Sequence, residues 1–377
     1  MSLRAAARRA ATPPARLVLR GLVGARTRGW APCSRLFVVG DGGGWSLDED
    51  AKHLTAAAHR LGVLTGPPAW ARFAHEQAVF HTSHFAAVHP RALATTHRLA
   101  TSWFHGRPGT PGYPAFDDAY EALRRHARLF WRVQVTHAEM HDLVLEAGVE
   151  PDRVFRIPIG IDLEHFALGG PAERARARAA LELPVSAFVV GSFHKDGDGW
   201  GEGLQPKLVK GPDVLVAALE ALVRDVPELW VLLTGPARGY VRRRLEELGV
   251  PYRHVLAASR EELAGAYHAL DAYVVPSRQE GGPKAVLESM ATGVPLVTTR
   301  VGQAQELVAD GVNGLLVDVE DADGLATAVL RVHRDPSLVA SLRRAGRSTA
   351  ESYAYERLDP LWAGFFEGFV GRGGAAG

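Results

Sequence analysis

The stretch Asp271-Ala272-Tyr273-Val274-Val275-Pro276-Ser277-Arg278-Gln279-Glu280-Gly281-Gly282-Pro283-Lys284-Ala285-Val286-Leu287-Glu288 decides the fold. A β-rich apolar run, Ala272–Pro276, leads into a loop with paired glycines and then into a helical pattern. Pro283 suits the first helical position, where a missing N–H costs nothing. Gly281 and Gly282 let a ligand approach the backbone, and the helix start offers free N–H groups that can cradle a diphosphate. Glu280 falls in the loop and Glu288 in the second helical turn, so both can face one cavity. There they would accept hydrogen bonds from sugar or ribose hydroxyls. Two solvated glutamates beside a capped helix is the plainer reading, and a Glu-x7-Glu spacing is by itself common.

Outward from this segment, β-rich runs alternate with helical patterns. Strands are expected at 187–192, 229–234, 272–276 and 294–298. Helices are expected at 212–224, 238–248, 260–269, 283–291, 303–309, 322–334 and 336–351. Such alternation implies a parallel sheet covered on both faces. Upstream, Leu36–Val39 ends in Gly40-Asp41-Gly42-Gly43-Gly44, a strand, glycine loop and helix. Further strands are expected at 77–81, 99–103, 133–136 and 154–157, with helices near 118–130, 138–147 and 171–181. A final helix near 355–370 aligns Leu358, Leu361, Trp362, Phe365, Phe366 and Phe369 as one apolar stripe. The expected division is a basic, disordered arm over 1–34, an α/β domain over 35–168, a second over 169–354, and a helix and tail over 355–377.

In parallel α/β sheets, ligands gather beyond the carboxyl ends of the strands. A second candidate region therefore follows the strand 187–192. It opens with Gly191-Ser192-Phe193-His194-Lys195-Asp196-Gly197-Asp198 and closes with Lys207-Leu208-Val209-Lys210-Gly211-Pro212. Lys210 abuts the start of a helix, where its charge would add to the helix dipole at an anion site. Lys195 and Lys207 could contribute, or be ordinary surface lysines. Asp196-x-Asp198 could hold a divalent ion on a diphosphate, but so short a pattern is common and recurs at Asp321-x-Asp323. In the first half, His75, His81, His84, His89, His97 and His105 lie close in sequence, but no His-x-x-x-His pair sits on a convincing helix and Glu76 is the one carboxylate among them, so no metal site is expected. His105 follows the run Leu99–Phe104 and precedes Gly106, which places it at a strand's carboxyl end.

Composition narrows the function. The chain has 377 residues, enough for about two domains. Its 40 glycines suit several backbone-lined loops, and its single cysteine excludes an internal disulfide framework and any zinc site built on several cysteines. Residues 1–30 carry seven arginines and no acid, which leaves 36 basic against 42 acidic residues in the remainder. A mildly acidic body argues against nucleic-acid binding. The arm would suit an anionic membrane surface, a targeting peptide or a solvated tail. No apolar run is long enough to span a membrane, and the expected setting is cytoplasmic, with room for peripheral membrane contact.

With these residues in view, 272–318 resembles the donor-binding half of a glycosyltransferase of family 4. Val301-Gly302-Gln303-Ala304-Gln305-Glu306-Leu307 and Gly311-Val312-Asn313-Gly314-Leu315-Leu316-Val317 continue the likeness. It reaches more weakly back through Lys210-Gly211, Ile157–Phe166 and His105-Gly106. The resemblance implies a GT-B fold, two Rossmann-like α/β domains facing across a cleft, with a C-terminal helix crossing back. It implies a retaining, metal-independent transferase with no cofactor, moving a sugar from a nucleotide-sugar donor to a glycan, lipid-linked or small-molecule acceptor. Glu280 would meet the donor sugar, Glu288 the ribose and Lys210 the diphosphate. Gly191, Lys195, Lys207, Gly281, Gly282, Pro283 and Lys284 would complete the donor site. His105 would lie near the transferred sugar and Gly42-Gly43-Gly44 would form the acceptor-side loop.

Three departures stand out. Ser192 stands where the family often has arginine, leaving Lys195, Lys207, Arg278 or Lys284 to supply a second cation. Ile159 stands where asparagine is usual, and Gln303 replaces a frequent glycine. The first domain is short, so acceptor recognition is either reduced or supplied by a partner. Two other readings remain: an epimerase or hydrolase acting on a nucleotide sugar in the same fold, and a non-catalytic nucleotide-sugar-binding protein.

Overall fold

A computed structural model describes residues 21–27, 29–43, 46–199 and 201–371. Cα packing divides the described chain into two units, one running to Ile157 and taking up the chain again from Asp359, the other spanning Pro158–Leu358. The first boundary falls upstream of the 168/169 boundary read from sequence. It falls there because Ile157 N–H still donates to Val135 in the first sheet, whereas Ile161 N–H donates to Tyr353 in the second unit.

The first unit holds five parallel strands, β1 (Leu36–Val39), β2 (Ala78–His81), β3 (Arg98–Ser102), β4 (Phe130–Val135) and β5 (Val154–Arg156), which lie side by side in chain order. The helix Ser46–Arg60 follows the glycine loop after β1. The apolar stripe of the helix Asp359–Phe366 packs here. Phe365 meets Phe80 and Phe155 edge-on at 5.6 and 5.2 Å, and Arg60 grips Asp359 with two 2.7 Å hydrogen bonds. Residues 355–370 thus form a 3-10 turn, Tyr355–Leu358, and a shorter helix than the periodicity suggests.

The disordered arm expected over 1–34 needs correction at its end. Residues 21–27 are helical, Val23 is buried, and Trp30 stacks on Trp70 with ring centres 6.2 Å apart. Arg35 caps the Trp30 ring at 4.3 Å. Alternating arginines and small residues concealed these few apolar anchors. Residues 1–20 lie outside the described ones, as does Gly44.

The second unit holds β6 (Phe188–Ser192), β7 (Leu229–Thr234), β8 (Tyr252–Val255), β9 (Ala272–Val275), β10 (Leu296–Thr299) and β11 (Leu315–Val317) in the order β11-β10-β9-β6-β7-β8, all parallel. Alternate residues serve opposite faces. Val190, Ala272 and Val274 enter the core beneath the helices Pro212–Leu222 and Ala322–Arg334, while Val189, Tyr273 and Val275 enter the core beneath Lys284–Thr292 and Arg260–His268. This period of two, buried on both faces, explains why these strands read as continuous apolar runs. The chain first winds outward from β6 through β7 and β8. It then returns to β6's other side and winds outward again from β9. That reversal is a topological switch point, where α/β sheets place their ligand crevice.

Candidate active site

The two loops singled out in the sequence leave the carboxyl ends of β6 and β9, the two strands that flank the reversal. Backbone bonds sew them together, since Arg278 and Gln279 N–H groups both donate to the Val209 carbonyl, at 2.9 and 3.1 Å. Gly211 makes this approach feasible. Its φ of 63° is left-handed, and a Cβ there would overlap the Pro276 carbonyl oxygen. Gly302, with φ 50°, fits equally closely beneath the carbonyls of Glu280 and Gly281.

These contacts bring Lys210 and Glu280 together. Lys210 Nζ donates to both carboxylate oxygens of Glu280 at 2.7 Å, and Ser277 Oγ donates to Oε1 at 2.8 Å. The Glu280 side chain is only 9% exposed, so these charge-assisted bonds act with little solvent screening. Burial pushes the Glu280 carboxyl up, but Lys210, His194 and the two hydrogen-bond donors outweigh it and hold it below its ordinary value. Ser277 is itself fixed by Thr299, whose hydroxyl donates to the Ser277 carbonyl at 2.6 Å.

Glu288 lies on the helix Lys284–Thr292, with Pro283 as its N-cap rather than its first residue. The buried Tyr267 hydroxyl donates to Glu288 Oε2 at 2.9 Å. Burial raises the Glu288 carboxyl above its ordinary value despite that bond and the nearby charges of Lys284 and Arg260. Glu280 and Glu288 therefore differ in charge setting: one is clasped by a cation, the other is held mainly by a phenol.

Lys207 sits close enough to Lys210 and Lys195 that burial first, and then their charges, lower its pKa. Three lysines of the loop after β6 lie within electrostatic reach of one another, and Lys207 and Lys210 also of Glu280 on the loop after β9, an arrangement able to take a multiply charged anion. Arg278 is not a spare cation. Asp213 holds it bidentately at 2.7 Å, and it also donates to Glu320 at 2.6 Å and to the Leu208 carbonyl at 2.8 Å. Gly191 lies inside β6, where Leu270 leaves no room for a Cβ. Asp196 is buried against Arg238, whose Nε donates to Oδ1 at 2.9 Å while Nη2 lies 2.9 Å from Oδ2. The Asp196-Gly197-Asp198 triplet is thus a structural anchor, with Asp198 exposed.

His105 belongs to the first unit, just beyond β3, with its ring 5.4 Å from His84 and 5.6 Å from Phe116. In the same unit, Gly42 N–H donates to Asp48 and Gly43 N–H to Asp41, so the loop after β1 is shaped by two carboxylates. Sequence reasoning missed Tyr267, Arg238 and the environment of His194. Nothing in the local pattern marks Tyr267 or Arg238, because each acts on a residue far away in the chain. Among the described residues, no group of three or more His, Cys, Asp or Glu side chains could hold a metal ion, and no helix is long and apolar enough to cross a membrane.

The sheets and the switch-point site define the class. The fold is that of the GT-B glycosyltransferases: the structure superposes on Anabaena HepE in complex with UDP-glucose with a TM-score of 0.71 at 16% identity, covering 89% of this chain and 99% of that one. For the sucrose-phosphate synthase of Thermosynechococcus elongatus the TM-score is 0.62 at 22% identity, covering 77% of this chain and 73% of that one. Residues 203–335 match the family Glycosyl transferases group 1, and the second unit carries a domain of that family. The D-inositol 3-phosphate glycosyltransferase of Saccharomonospora viridis is 35% identical over 235 residues, 59% of this chain and 52% of that protein. The enzyme of that name from Xylanimonas cellulosilytica is 35% identical over 228 residues, 57% of this chain and 52% of that protein. The chain spans about half the length of these relatives.

Proposed function

We propose that this chain is a retaining glycosyltransferase that moves a sugar from a nucleotide-sugar donor to a glycan, lipid-linked or small-molecule acceptor. The observation that carries the reading is the Lys210–Glu280 pair at the switch point, beside the Gly281-Gly282 turn and the start of the helix Lys284–Thr292. Breaking the bond between the sugar's anomeric carbon and the phosphate oxygen leaves the electron pair, and negative charge, on the diphosphate. Lys210, assisted by Lys195 and Lys207, stabilises that charge together with the N–H groups at the helix start. Glu280 orients the sugar hydroxyls and Glu288 the ribose. The acceptor hydroxyl attacks the anomeric carbon from the face that the phosphate leaves, and its proton passes to the departing phosphate oxygen. Atoms and charge then balance without a metal ion, and the anomeric configuration is kept.

A thermal-shift panel of UDP-, GDP- and ADP-sugars tests the donor, because a ligand that binds only the folded state raises the melting temperature. Transfer is then assayed with that donor against acceptors that include inositol 3-phosphate, the substrate in the names of the curated relatives. A stabilising nucleotide sugar and an acceptor-dependent product with retained configuration support the proposal. Release of free sugar without acceptor would favour a hydrolase, and an inverted product would remove the retaining mechanism.

A further inference from the structure

The loop after β6 contains polar atoms that the protein leaves unsatisfied. Both ring nitrogens of His194 are buried without a hydrogen-bond partner, and so is the Ser192 hydroxyl two residues earlier. Buried polar atoms are almost always paired in native proteins, so three orphans within three residues at the ligand end of a strand mark a place that another molecule completes. The segment is not loose. Phe193 N–H donates to Tyr273 Oη at 3.0 Å, and the Phe193 ring meets Tyr267 and Tyr273 edge-on at 4.7 and 5.2 Å. On the other side, Asp196 is fixed by Arg238, and its carbonyl accepts the Lys207 N–H at 2.7 Å. His194 is therefore presented from a backbone pinned before and after it.

The charges around it identify the ligand. His194 lies within electrostatic reach of Glu280, Lys210 and Arg238. Burial, with Lys210 and Arg238 and against Glu280, lowers its pKa to about 4, so near neutral pH the ring carries one N–H donor and one acceptor. Arg238 is occupied by Asp196, Ser192 O and Thr234 O, and Arg278 by Asp213 and Glu320. Both guanidiniums are committed to carboxylates of the protein itself.

We propose that His194 contacts the donor directly, its imidazole donating a hydrogen bond to the diphosphate beside Lys210. This rests on the reading of the switch point as a nucleotide-sugar site. The imidazole supplies direction where Lys210 supplies charge, and it forms a donor contact without adding a fourth cation to Lys195, Lys207 and Lys210.

The test is calorimetric titration of the full chain, and of His194→Ala and His194→Gln, with UDP-glucose, GDP-mannose, ADP-glucose, the three nucleoside diphosphates and the free nucleosides. His194→Ala should weaken the nucleotide sugar and its nucleoside diphosphate by the same factor, about tenfold or more, the scale of a lost hydrogen bond to a charged group. Affinity for the nucleoside should not change. His194→Gln, which keeps an N–H donor at similar reach, should recover most of the loss. The ligand-free melting temperature of His194→Gln should stay at the wild-type value, because no hydrogen bond to the protein is lost and most of the side-chain volume is kept, whereas a structural histidine would lower it; His194→Ala also loses the ring contact with Tyr273, 6.3 Å away. If wild type binds a nucleotide sugar, Glu288→Gln weakens it, and His194→Ala binds unchanged, the assignment of His194 is wrong while the donor site stands. If wild type binds none of the nucleotides, the donor-site reading fails and takes this assignment with it.

Discussion

Gln303 and Ile159 hold each other by two hydrogen bonds: Ile159 N–H donates to Gln303 Oε1 at 2.8 Å, and Gln303 Nε2 donates to the Ile159 carbonyl at 3.1 Å. These are two of the positions at which the chain departs from the family pattern, and the departures answer one another. Gly282 lies beneath both, with no room for a Cβ between Ile159 Cδ1 and Gln303 Oε1. Gln303 N–H also donates to the Gly281 carbonyl at 2.8 Å, so this clasp supports the glycine turn of the donor site.

Gln303→Ala should therefore destabilise the second unit by about 2 kcal/mol or more, the scale of leaving two buried backbone groups without partners. Urea unfolding followed by tryptophan fluorescence measures it. A midpoint unchanged from wild type would mean that solvent or rearrangement replaces both bonds.

Lys210→Ala should lower kcat/KM by about two to three powers of ten, as expected when one charge-stabilising contact is removed from a transition state. It should also change the acid limb of stability. The Glu280 pKa is depressed in the folded state, so its stabilising contribution is fully present above the ordinary glutamate pKa and is lost as pH falls through the depressed value. Without Lys210 the depression, and with it this pH-dependent contribution, should shrink or reverse. Unfolding free energies of both proteins between pH 3 and 7 give the comparison, and superimposable profiles would contradict the pairing.

For Glu288 the sign reverses. Its folded pKa is raised, so the folded state binds the proton more tightly, and stability declines as pH rises from the ordinary glutamate value through the raised one. Glu288→Gln should leave the ligand-free protein at least as stable at pH 7 while weakening nucleotide binding. Melting temperature and nucleotide Kd, measured on the same preparation, should move apart. A fall in melting temperature together with the rise in Kd would point to a purely structural glutamate.

Asp196→Asn separates an anchor from a metal ligand. Breaking a buried charge pair typically costs about 3–5 kcal/mol, so this variant should melt well below wild type with or without divalent ions. Transfer by wild type should persist in excess EDTA. A variant of normal stability that loses only a Mn²⁺-dependent activity would restore the metal reading of Asp196-Gly197-Asp198.

His105→Ala should reduce transfer while nucleotide affinity stays at the wild-type value, since His105 belongs to the unit that lacks the switch point. Parallel measurement of kcat and of nucleotide Kd distinguishes this from a general loss of structure. Unchanged kcat would return His105 to the aromatic cluster it shares with His84 and Phe116.

What the sequence discloses, and what it hides, follows from where each signal resides. The interior strands β6, β9 and β10 are apolar throughout because both faces are covered, and they read plainly. The two strands of the second unit that escaped notice, β8 and β11, are its edges. Tyr252–Val255 is only half-buried and Leu315–Val317 has three residues, so neither offers a run long or apolar enough to register. Glu280, Lys210 and Gly211 were legible because loop, charge and helix start are contiguous. Tyr267, Arg238 and the Gln303–Ile159 clasp were not, because each pairs residues that only the fold brings together.

The loop after β6 makes an excursion before it reaches Lys210. Between Gly197 and Pro206 the chain runs out over the turn that follows β7, where Gly239 N–H donates to Glu202 O at 2.7 Å and Tyr240 N–H to Gly203 O at 2.9 Å. It then returns to Lys207, whose N–H donates to Asp196 O at 2.7 Å and closes the neck of the excursion. Glu202 O and Gly203 O thus accept the first N–H groups of the helix Gly239–Leu248, and neither Gly197 nor Gly203 leaves room for a Cβ against Ala237. The excursion is mortised at its tip as well as at its neck, so changes within it should be felt first in the packing beside Arg238.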